Sequence, residues 1–347
     1  YLEGKGGAWP YDLAGDFRAG RLDPVNFAGW RIASQRFRSE LEAFAREGVR
    51  IDAAWLDYEN APINLSRHDV VFPGSRVPAA ALADDRRFRH YRRQLWQTLT
   101  STYFAAPLRE VFPGIAVTNW VVSASRADFP LLDWTNRAHP RTDIGLFTAT
   151  NPLAYGIDVA FHNNAPKYRL ESQVQVDRIY THILLRQVSA DAHARRLDAP
   201  HLESMVWVSR WVRDMPERRT PVMSRAAYRE ALRHVWLRGA DGMMVFNPVV
   251  DGYEKMAIRE ALDAASVYRE MAPHAQRLKA GEVMNFSVPD AHRPAPFWSG
   301  VRTADGALVR TYNPGRDDIV LRIELRPGER VDVVAPPGGK THRFPRR

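Results

Sequence analysis

The stretch AWLDYEN at residues 54–60 is the part of this sequence that decides the fold and function we predict. It completes an apolar run from Val49 through Leu56, which predicts a buried strand. Alternate side chains of a strand share a face, so Asp57 and Glu59 are expected to point the same way. Two carboxylates on one face repel each other, and this raises the pKa of one of them into the range of a general acid. The pair fits glycoside hydrolysis, and it fits equally well a strand end whose acids cap the strand or bind arginines.

The amino-acid composition and net charge indicate which classes of binding partner to expect. The chain of 347 residues is 45% hydrophobic, enough for one large domain and a small one, and carries a net charge of +9. Its 49 basic residues comprise 44 arginines and five lysines, a bias that points to a GC-rich, bacterial genome. The arginines are interleaved with 40 acidic residues rather than gathered in runs. We therefore expect no nucleic-acid partner, whereas an anionic polysaccharide remains compatible with the charge.

Several kinds of site are not expected. The chain has no cysteine, which excludes disulfides and cysteine-based metal or nucleophile sites. The histidines show no ligand spacing and no Gly-x-Ser-x-Gly occurs, so we expect no metal, no cofactor and no serine-hydrolase site. No apolar run approaches ~18 residues, so no membrane span is expected. A polysaccharide-degrading role predicts a secreted or periplasmic protein whose leader would lie upstream of Tyr1. The sequence does not indicate an oligomeric state.

Helical and strand patterns alternate along most of the chain. Gly48 and Pro113-Gly114 are breaks between them, and Ser224 is a plausible N-cap. The predicted helices cover residues 32–48, 84–105, 173–197, 224–238 and 253–271. The predicted strands cover residues 49–56, 115–120, 143–150 with 157–161, 205–208 and 243–246.

This alternation predicts an α/β fold with a parallel sheet buried on both faces. Polar or aromatic residues follow several of the strands, as expected at the carboxyl-terminal rim of a (β/α) TIM-type barrel. A doubly wound sheet is the alternative, but no glycine-rich phosphate turn follows any strand. Only five or six strands are countable over residues 1–275, so the barrel is either incomplete or begins upstream of Tyr1.

The C-terminal part has a different texture. Short apolar strands are predicted over residues 284–288, 297–302, 308–312, 319–325 and 331–334. Turn signals such as Asp305-Gly306 and Pro327-Gly328 separate them. Residues 281–347 are therefore predicted to form a small β-sandwich accessory domain, either a structural appendage or a carbohydrate-binding module.

The Asp-x-Glu spacing has a specific use in sugar chemistry. When a substrate carries a 2-acetamido group, its carbonyl oxygen can attack the anomeric carbon, and the protein needs no nucleophile. One acid then protonates the leaving oxygen while the other orients the acetamido nitrogen. Acids placed to act as a distant second carboxylate are hard to find: Asp128, Asp133 and Asp158 fit solvated loop positions better. The lack of a well-placed distant carboxylate favours the adjacent pair, Asp57 and Glu59.

The order of these features resembles the hyaluronidase-type glycoside hydrolases of family 56. Gly6-Gly7-Ala8-Trp9-Pro10, followed by a helix and the run to Glu59, is similar to that family's approach to its Asp-Trp-Glu signature. The helix over 84–105 and the strand ending in Asn119-Trp120 resemble the next segment. EALRHVWLRGADGMMVFNP at residues 230–248 is similar to the final helix, turn and closing strand. The resemblance covers about residues 6 to 275 and would place the family's early strands before Tyr1.

The resemblance implies roles for individual residues. Glu59 would be the acid/base, Asp57 the residue that positions the acetamido group, and Tyr155 a second residue that holds this group. Tyr58 stands where the signature has Trp, and Phe246 where a Trp is usual, which puts the substrate more than the chemistry in question. A chitinase-type pattern fits less well, since its further Asp would be Trp55. The remaining residues that we predict to contact substrate are Asn119, Trp120, Trp207 and Asn247.

Three hypotheses follow. The first is a retaining, substrate-assisted hydrolase of a polysaccharide or oligosaccharide, cleaving at N-acetylhexosamine. The second keeps the barrel and uses Glu59 with a distant carboxylate on a neutral glycan, with retention or inversion. The third is a non-catalytic carbohydrate-binding barrel, in which the pair only hydrogen-bonds sugar hydroxyls.

Overall fold

The computed structural model describes residues 27–56, 98–119, 146–154, 172–211, 222–246 and 252–346, together with the single positions 80, 87, 91 and 95. The chain divides into two compact units, Tyr1–Asn151 and Pro152–Arg347. The domain boundary predicted near residues 275–281 stays a prediction. It coincides with the point where helices give way to antiparallel strands.

The first element described in the first unit is helix α1, Phe27–Arg46. Its inner face stacks on a neighbouring helical segment, where Phe37 meets Phe104 at 5.7 Å between ring centroids. The helix ends as predicted at Gly48, whose φ of 76° is a left-handed conformation that glycine adopts without strain. The amide of Val49 then donates to the Phe44 carbonyl, completing the C-terminal cap.

The predicted second helix is confirmed at the described positions and continues beyond residue 105. Positions 87, 91, 95 and 98–100 are helical, a π-helical turn spans Ser101–Ala105, and α2 covers Ala106–Val111. Pro107 lies in the first turn of α2, where its missing N–H costs no hydrogen bond. Leu95 and Leu99, four residues apart and so on one face of the helix, are both buried.

Strands β1, Ala53–Leu56, and β2, Ala116–Asn119, run parallel with Leu56 opposite Asn119. The predicted strand over residues 49–56 is wrong in length and burial. Val49 and Trp55 are 43% and 39% exposed, because β1 pairs only with β2 among the described residues. Strand β3, Ala149–Thr150, lies beside β2, where the Thr118 hydroxyl donates to the Ala149 carbonyl over 3.1 Å.

The second unit alternates helix and strand in the predicted order: α3 Gln173–Asp198, β4 Glu203–Val208, α4 Arg225–Trp236, β5 Gly242–Val245 and α5 Glu254–Met271. Strands β4 and β5 are parallel, with Val208 opposite Val245. The predicted cap at Ser224 is confirmed, since its side chain accepts from the Ala227 amide. These elements confirm the α/β class. The described strands form no closed barrel, so the barrel stays a prediction.

Helices α4 and α5 are joined by a ladder of arginines spaced four residues apart. Arg225 holds Asp263 with two hydrogen bonds of 2.8 Å, and Arg233 holds Glu270 in the same way at the other end. Between them Arg229 donates to Ser266. Side chains four apart lie on one face of a helix, so a single face of α4 makes all three contacts.

The C-terminal strands build two β layers. A short helix α6, Ala275–Ala280, leads into β6 Glu282–Val283, and β7 Phe297–Thr303, β8 Gly306–Tyr312 and β11 Lys340–Pro345 complete an antiparallel sheet in the order β11-β8-β7-β6. The hairpin of β9 Ile319–Arg326 and β10 Glu329–Ala335 packs on this sheet. The shared core contains Ala307, Val309, Ile323, Leu325 and Val333. The strand predicted over 284–288 is wrong, because pairing stops at Val283, and β11 was not predicted.

The opposite face of this sheet rests on α4 through a buried ion pair. Arg310 of β8 donates from Nε and Nη2 to the two carboxylate oxygens of Glu230, each over 2.6 Å. Both side chains are less than a tenth exposed. Gly339, with φ of 68°, follows the β10–β11 turn, where a Cβ atom would stand 2.5 Å from Glu230 Oε1. Only glycine fits this close approach.

Replacing Arg310 should be among the most destabilising single changes in the second unit. Arg310→Ala leaves the buried Glu230 carboxylate without its bidentate partner, and breaking a buried pair in this way costs about 3–5 kcal/mol. Urea titration of the free energy of unfolding measures the loss. Arg322→Ala is the matched control, since it breaks the exposed Arg322–Asp332 pair of the same β layers, which should contribute little. Equal losses in the two variants would contradict the proposed weight of the buried pair.

Candidate functional site

The carboxyl-terminal ends of β1 and β2 meet at one edge. The register pairs Leu56 with Asn119, the last residue of each strand, so the residues that follow both strands start from neighbouring points. The predicted site residues of this unit are concentrated there by sequence. Asn119 ends β2, whereas Asp57, Tyr58, Glu59 and Trp120 lie outside the described residues.

A side-chain hydrogen bond crosses near this edge. The indole Nε1 of Trp55 donates to the Oδ1 of the fully buried Asn151 over 3.3 Å. Asn151 directly follows β3, so the contact joins the ends of the first and third strands of this unit. The bond therefore links β1, whose last residue Leu56 precedes Asp57 in sequence, to the residue that follows β3.

The second unit has an edge of the same kind. Beside β4, Leu153 forms a parallel bridge with Trp207, and the Ala154 amide donates to the Trp207 carbonyl over 2.8 Å. On its other side the Phe246 amide donates to the Val208 carbonyl over 2.9 Å. Three chain segments therefore end side by side. Two further predicted residues, Tyr155 and Asn247, follow directly in sequence and lie outside the described residues.

The structure brings two predicted substrate-binding aromatics together. The rings of Trp207 and Phe246 meet edge to face, with centroids 5.8 Å apart and planes at 82°. Trp207 is only 8% exposed, while Phe246 is half-buried. Phe246 is thus the more accessible face for a sugar ring, and a stacking role for either residue stays a prediction. Trp211, four residues after Trp207, is 1% exposed and belongs to the core.

A buried carboxylate that the sequence analysis did not single out holds the loop after β4. Glu260 of α5 accepts the Arg210 amide over 2.7 Å and is fully buried. Burial, followed by the charge of Glu260, raises the pKa of the Tyr228 phenol well above its ordinary value. Arg210 also exchanges hydrogen bonds with the backbone of Met223. Nothing in its helical context distinguishes Glu260 from the other acids of α5.

Helix α4 carries a second constellation that has the outline of a hydrolytic triad. His234 Nδ1 lies 2.8 Å from the Ser299 hydroxyl, and its Nε2 lies 3.2 Å from Glu230. Ser299 and His234 are completely buried, and Arg238 Nε donates to the Ser299 oxygen over 2.7 Å. A serine whose oxygen already accepts from an arginine, out of reach of substrate, is not an available nucleophile. The constellation is a structural network between α4 and β7.

The protonation states of this network follow from burial and hydrogen bonding. Burial lowers the pKa of His234 to about 4, against the raising effect of Glu230. Burial alone would raise the pKa of Glu230, but hydrogen bonds from His234 and Arg310 outweigh it and lower this pKa to about 2. Burial also lowers the pKa of Arg238 to about 9. At neutral pH the network therefore contains charged Glu230 and Arg238 and a neutral His234.

Within the described ranges, no group of three or more histidines and acidic residues is placed to hold a metal ion. None of the helices in those ranges combines the length and the apolar character that a membrane span requires.

Acidification should weaken the second unit through His234 and Glu230. Both have folded-state pKa values below their ordinary values of 6.5 and 4.5, so the unfolded state takes up protons first as the pH falls. Stability due to His234 is complete above about pH 6.5 and declines toward pH 4, and that due to Glu230 declines from about pH 4.5 toward pH 2. Thermal unfolding of His234→Gln should show a smaller decrease in Tm between pH 7 and pH 4.5 than the unaltered chain. The exposed His201→Gln is the control, and an unchanged slope for His234→Gln would refute the assignment.

No protein-family model and no curated protein matches this chain. Among solved structures, the debranching enzyme of Nostoc punctiforme soaked with acarbose is similar over 89% of this chain and 78% of that chain, with a TM-score of 0.41 and 9% identity. A structure of AmyP in complex with maltose is similar over 89% of both chains, with a TM-score of 0.30 and 10% identity. Neither is a hyaluronidase-type enzyme by its description. Similarity this weak does not establish a common fold.

Proposed function

We propose that this protein is a glycoside hydrolase that cleaves a polysaccharide at an N-acetylhexosamine residue, with retention and by substrate assistance. The observation that carries the proposal is the Asp57-x-Glu59 pair directly after β1, a strand whose last residue is in register with the last residue of β2. Carboxyl-terminal strand ends are where α/β enzymes collect their catalytic side chains. A secreted or periplasmic location belongs to the same proposal.

The chemistry needs only one proton-transfer group and one charge stabiliser from the protein. The acetamido oxygen of the substrate attacks the anomeric carbon as the glycosidic bond breaks, and Glu59 gives its proton to the leaving oxygen. Asp57 accepts a hydrogen bond from the acetamido nitrogen and stabilises the positive charge that develops on it. Water then attacks the anomeric carbon of the bicyclic intermediate, and Glu59 takes a proton from that water. The two inversions leave the configuration unchanged.

Substrate binding is assigned to the polar and aromatic residues that follow the other strands. Asn119 and Trp120 follow β2, and Trp207 with Phe246 forms an edge-to-face pair at the ends of β4 and β5. Aromatic rings stack on the apolar faces of sugars, and amide groups bond to sugar hydroxyls. We assign Tyr58, Tyr155 and Asn247 to the same task.

Glu59→Gln should abolish turnover without altering the fold. The amide keeps the size and hydrogen bonding of the carboxyl group but cannot donate the proton, a loss worth about 10²–10⁴-fold in rate. Release of reducing ends from an N-acetylated polysaccharide measures the effect, and circular dichroism checks the fold. Glu47→Gln makes the same chemical change at an exposed position of the same unit and should retain full activity. Activity of Glu59→Gln within a few-fold of the unaltered chain would remove Glu59 from the mechanism.

Asp57→Asn should reduce kcat on an N-acetylated substrate by about a hundredfold or more, with KM nearly unchanged. The lost interaction strengthens only as charge develops in the transition state, so it contributes to kcat rather than to ground-state binding. Loss of the Asp57 charge also removes repulsion that keeps Glu59 protonated, and the basic limb of the pH–rate profile should move to lower pH. Asp52→Asn, an exposed position just before β1, is the control. A kcat near the control value would mean that the nucleophile is another carboxylate.

A further inference from the structure

A small cavity in the second unit has a lining that the proposed hydrolase does not use. It lies between α3, α4, the segment before β7, and β8, and has a volume of about 140 Å³. Neither Trp207 nor Phe246, the predicted site residues described in this unit, lines it. Pockets that hold drug-sized ligands span roughly 300–1,000 Å³, so this one fits a single small unit such as one sugar ring.

Two of the acids in the lining are already saturated by protein donors. Asp177 accepts from the Ser224 amide over 2.7 Å and from the Ser224 hydroxyl over 2.6 Å. Glu230 is held by Arg310, Arg233 and His234. These carboxylates are therefore poor acceptors for a ligand, and they do not make the cavity a cation site.

Several hydrogen-bond donors in the cavity lining have no acceptor among the described residues. Arg178 uses its Nε for the Ala291 carbonyl, over 2.9 Å, and this bond holds the guanidinium in place. Its two Nη groups, and the whole guanidinium of Arg293, have no hydrogen-bond partner among the described residues. The Tyr312 hydroxyl likewise has none. Two guanidinium groups with free donors are a natural partner for a carboxylate or a phosphate.

An aromatic wall and a free carboxylate oxygen indicate what kind of ligand ring the cavity would bind. Phe297 and Tyr312 form one wall, with ring centroids 5.5 Å apart and planes at 68°. The Oδ1 of Asp290 accepts hydrogen bonds from the amides of His292 and Arg293, over 2.6 and 3.0 Å. Its Oδ2 has no hydrogen-bond partner among the described residues. A ring with hydroxyl groups would pack on the aromatic wall and donate to this oxygen.

We propose that this cavity binds a sugar acid, with its carboxylate on Arg178 and Arg293 and its ring against Phe297 and Tyr312. The ligand is either a free uronic acid or a uronic acid unit at the end of a chain. The site is independent of Asp57 and Glu59, so binding is expected whether or not the chain hydrolyses a polysaccharide.

The test is the affinity of the full chain for D-glucuronate, measured by saturation-transfer NMR titration. Arg293→Gln should weaken binding by about ten- to a hundredfold, because a hydrogen-bonded charge contributes about 1.5–3 kcal/mol. Arg178→Gln combined with Arg293→Gln should remove saturable binding. Arg269→Gln changes an exposed arginine on α5 that does not line the cavity, and it should bind as the unaltered chain does.

Three further probes make each outcome decisive. D-glucose has the ring without the carboxylate and should not compete; equal binding of glucose would overturn the assignment. Inorganic phosphate should bind more weakly than glucuronate, and tighter binding would show an oxyanion site without a sugar preference. A reducing-end-blocked oligouronide separates the chain end from the free acid. If Arg178→Gln disturbs the fold, the Arg293→Gln variant alone is used, because the Arg293 side chain makes no hydrogen bond with the described residues. The site is refuted if Arg293→Gln binds D-glucuronate as tightly as the unaltered chain does. It is also refuted if the unaltered chain shows no saturable binding.

Discussion

The buried pair of Glu230 and Arg310 is the contact on which the organisation of the second unit depends. It joins the first half of α4 to the centre of the C-terminal sheet, and both oxygens of the carboxylate are used. Removing two charges from water costs free energy that only good geometry returns, so the pair defines one arrangement more than it adds net stability. His234 and Arg238, four and eight residues further on, meet Ser299 on the next strand. The helix and sheet therefore fit in a single register.

This contact also determines what lies around it. The same face of α4 contributes Glu230 and Ala231 to the wall of the small cavity, and β8 contributes Tyr312. The other contacts of α4, through Arg225 and Arg233, hold α5. Because α5 supplies Glu260 to the loop after β4, the position of the edge where Trp207 and Phe246 meet is linked to the sheet by successive packed elements.

Local sequence signals predicted the elements of this chain well. Gly48 ends a helix as expected, because it adopts a left-handed backbone conformation. Ser224 begins a helix as expected, because its side chain accepts a hydrogen bond from the amide three residues further on. The parallel strands β4 and β5 were visible as apolar runs. Strand β1 was predicted too long, because Val49 is apolar but has no neighbouring strand among the described residues. Strand β11, with the polar sequence KTHRFP, carries no apolar signal.

Long-range polar contacts were beyond sequence analysis. Glu230 and Arg310 are 80 residues apart, and each is one charge among many on its element. The same is true of the cavity that contains Arg178 and Arg293, whose lining residues come from four separate stretches of the chain. For the proposed catalytic pair, sequence is the stronger source. Asp57 and Glu59 were identified by their spacing, and the structure adds the register of the strand that precedes them.

The central claim is that the substrate provides its own nucleophile at the Asp57–Glu59 edge. An N-acetylglucosamine-derived thiazoline imitates the bicyclic intermediate of that mechanism, and its inhibition constant is the most direct measurement. We expect competitive inhibition, with affinity well above that of N-acetylglucosamine, because the enzyme stabilises the charge distribution that the thiazoline shares with the transition state. An enzyme that hydrolyses its polysaccharide but does not bind the thiazoline would contradict substrate assistance, and its nucleophile would have to come from the protein.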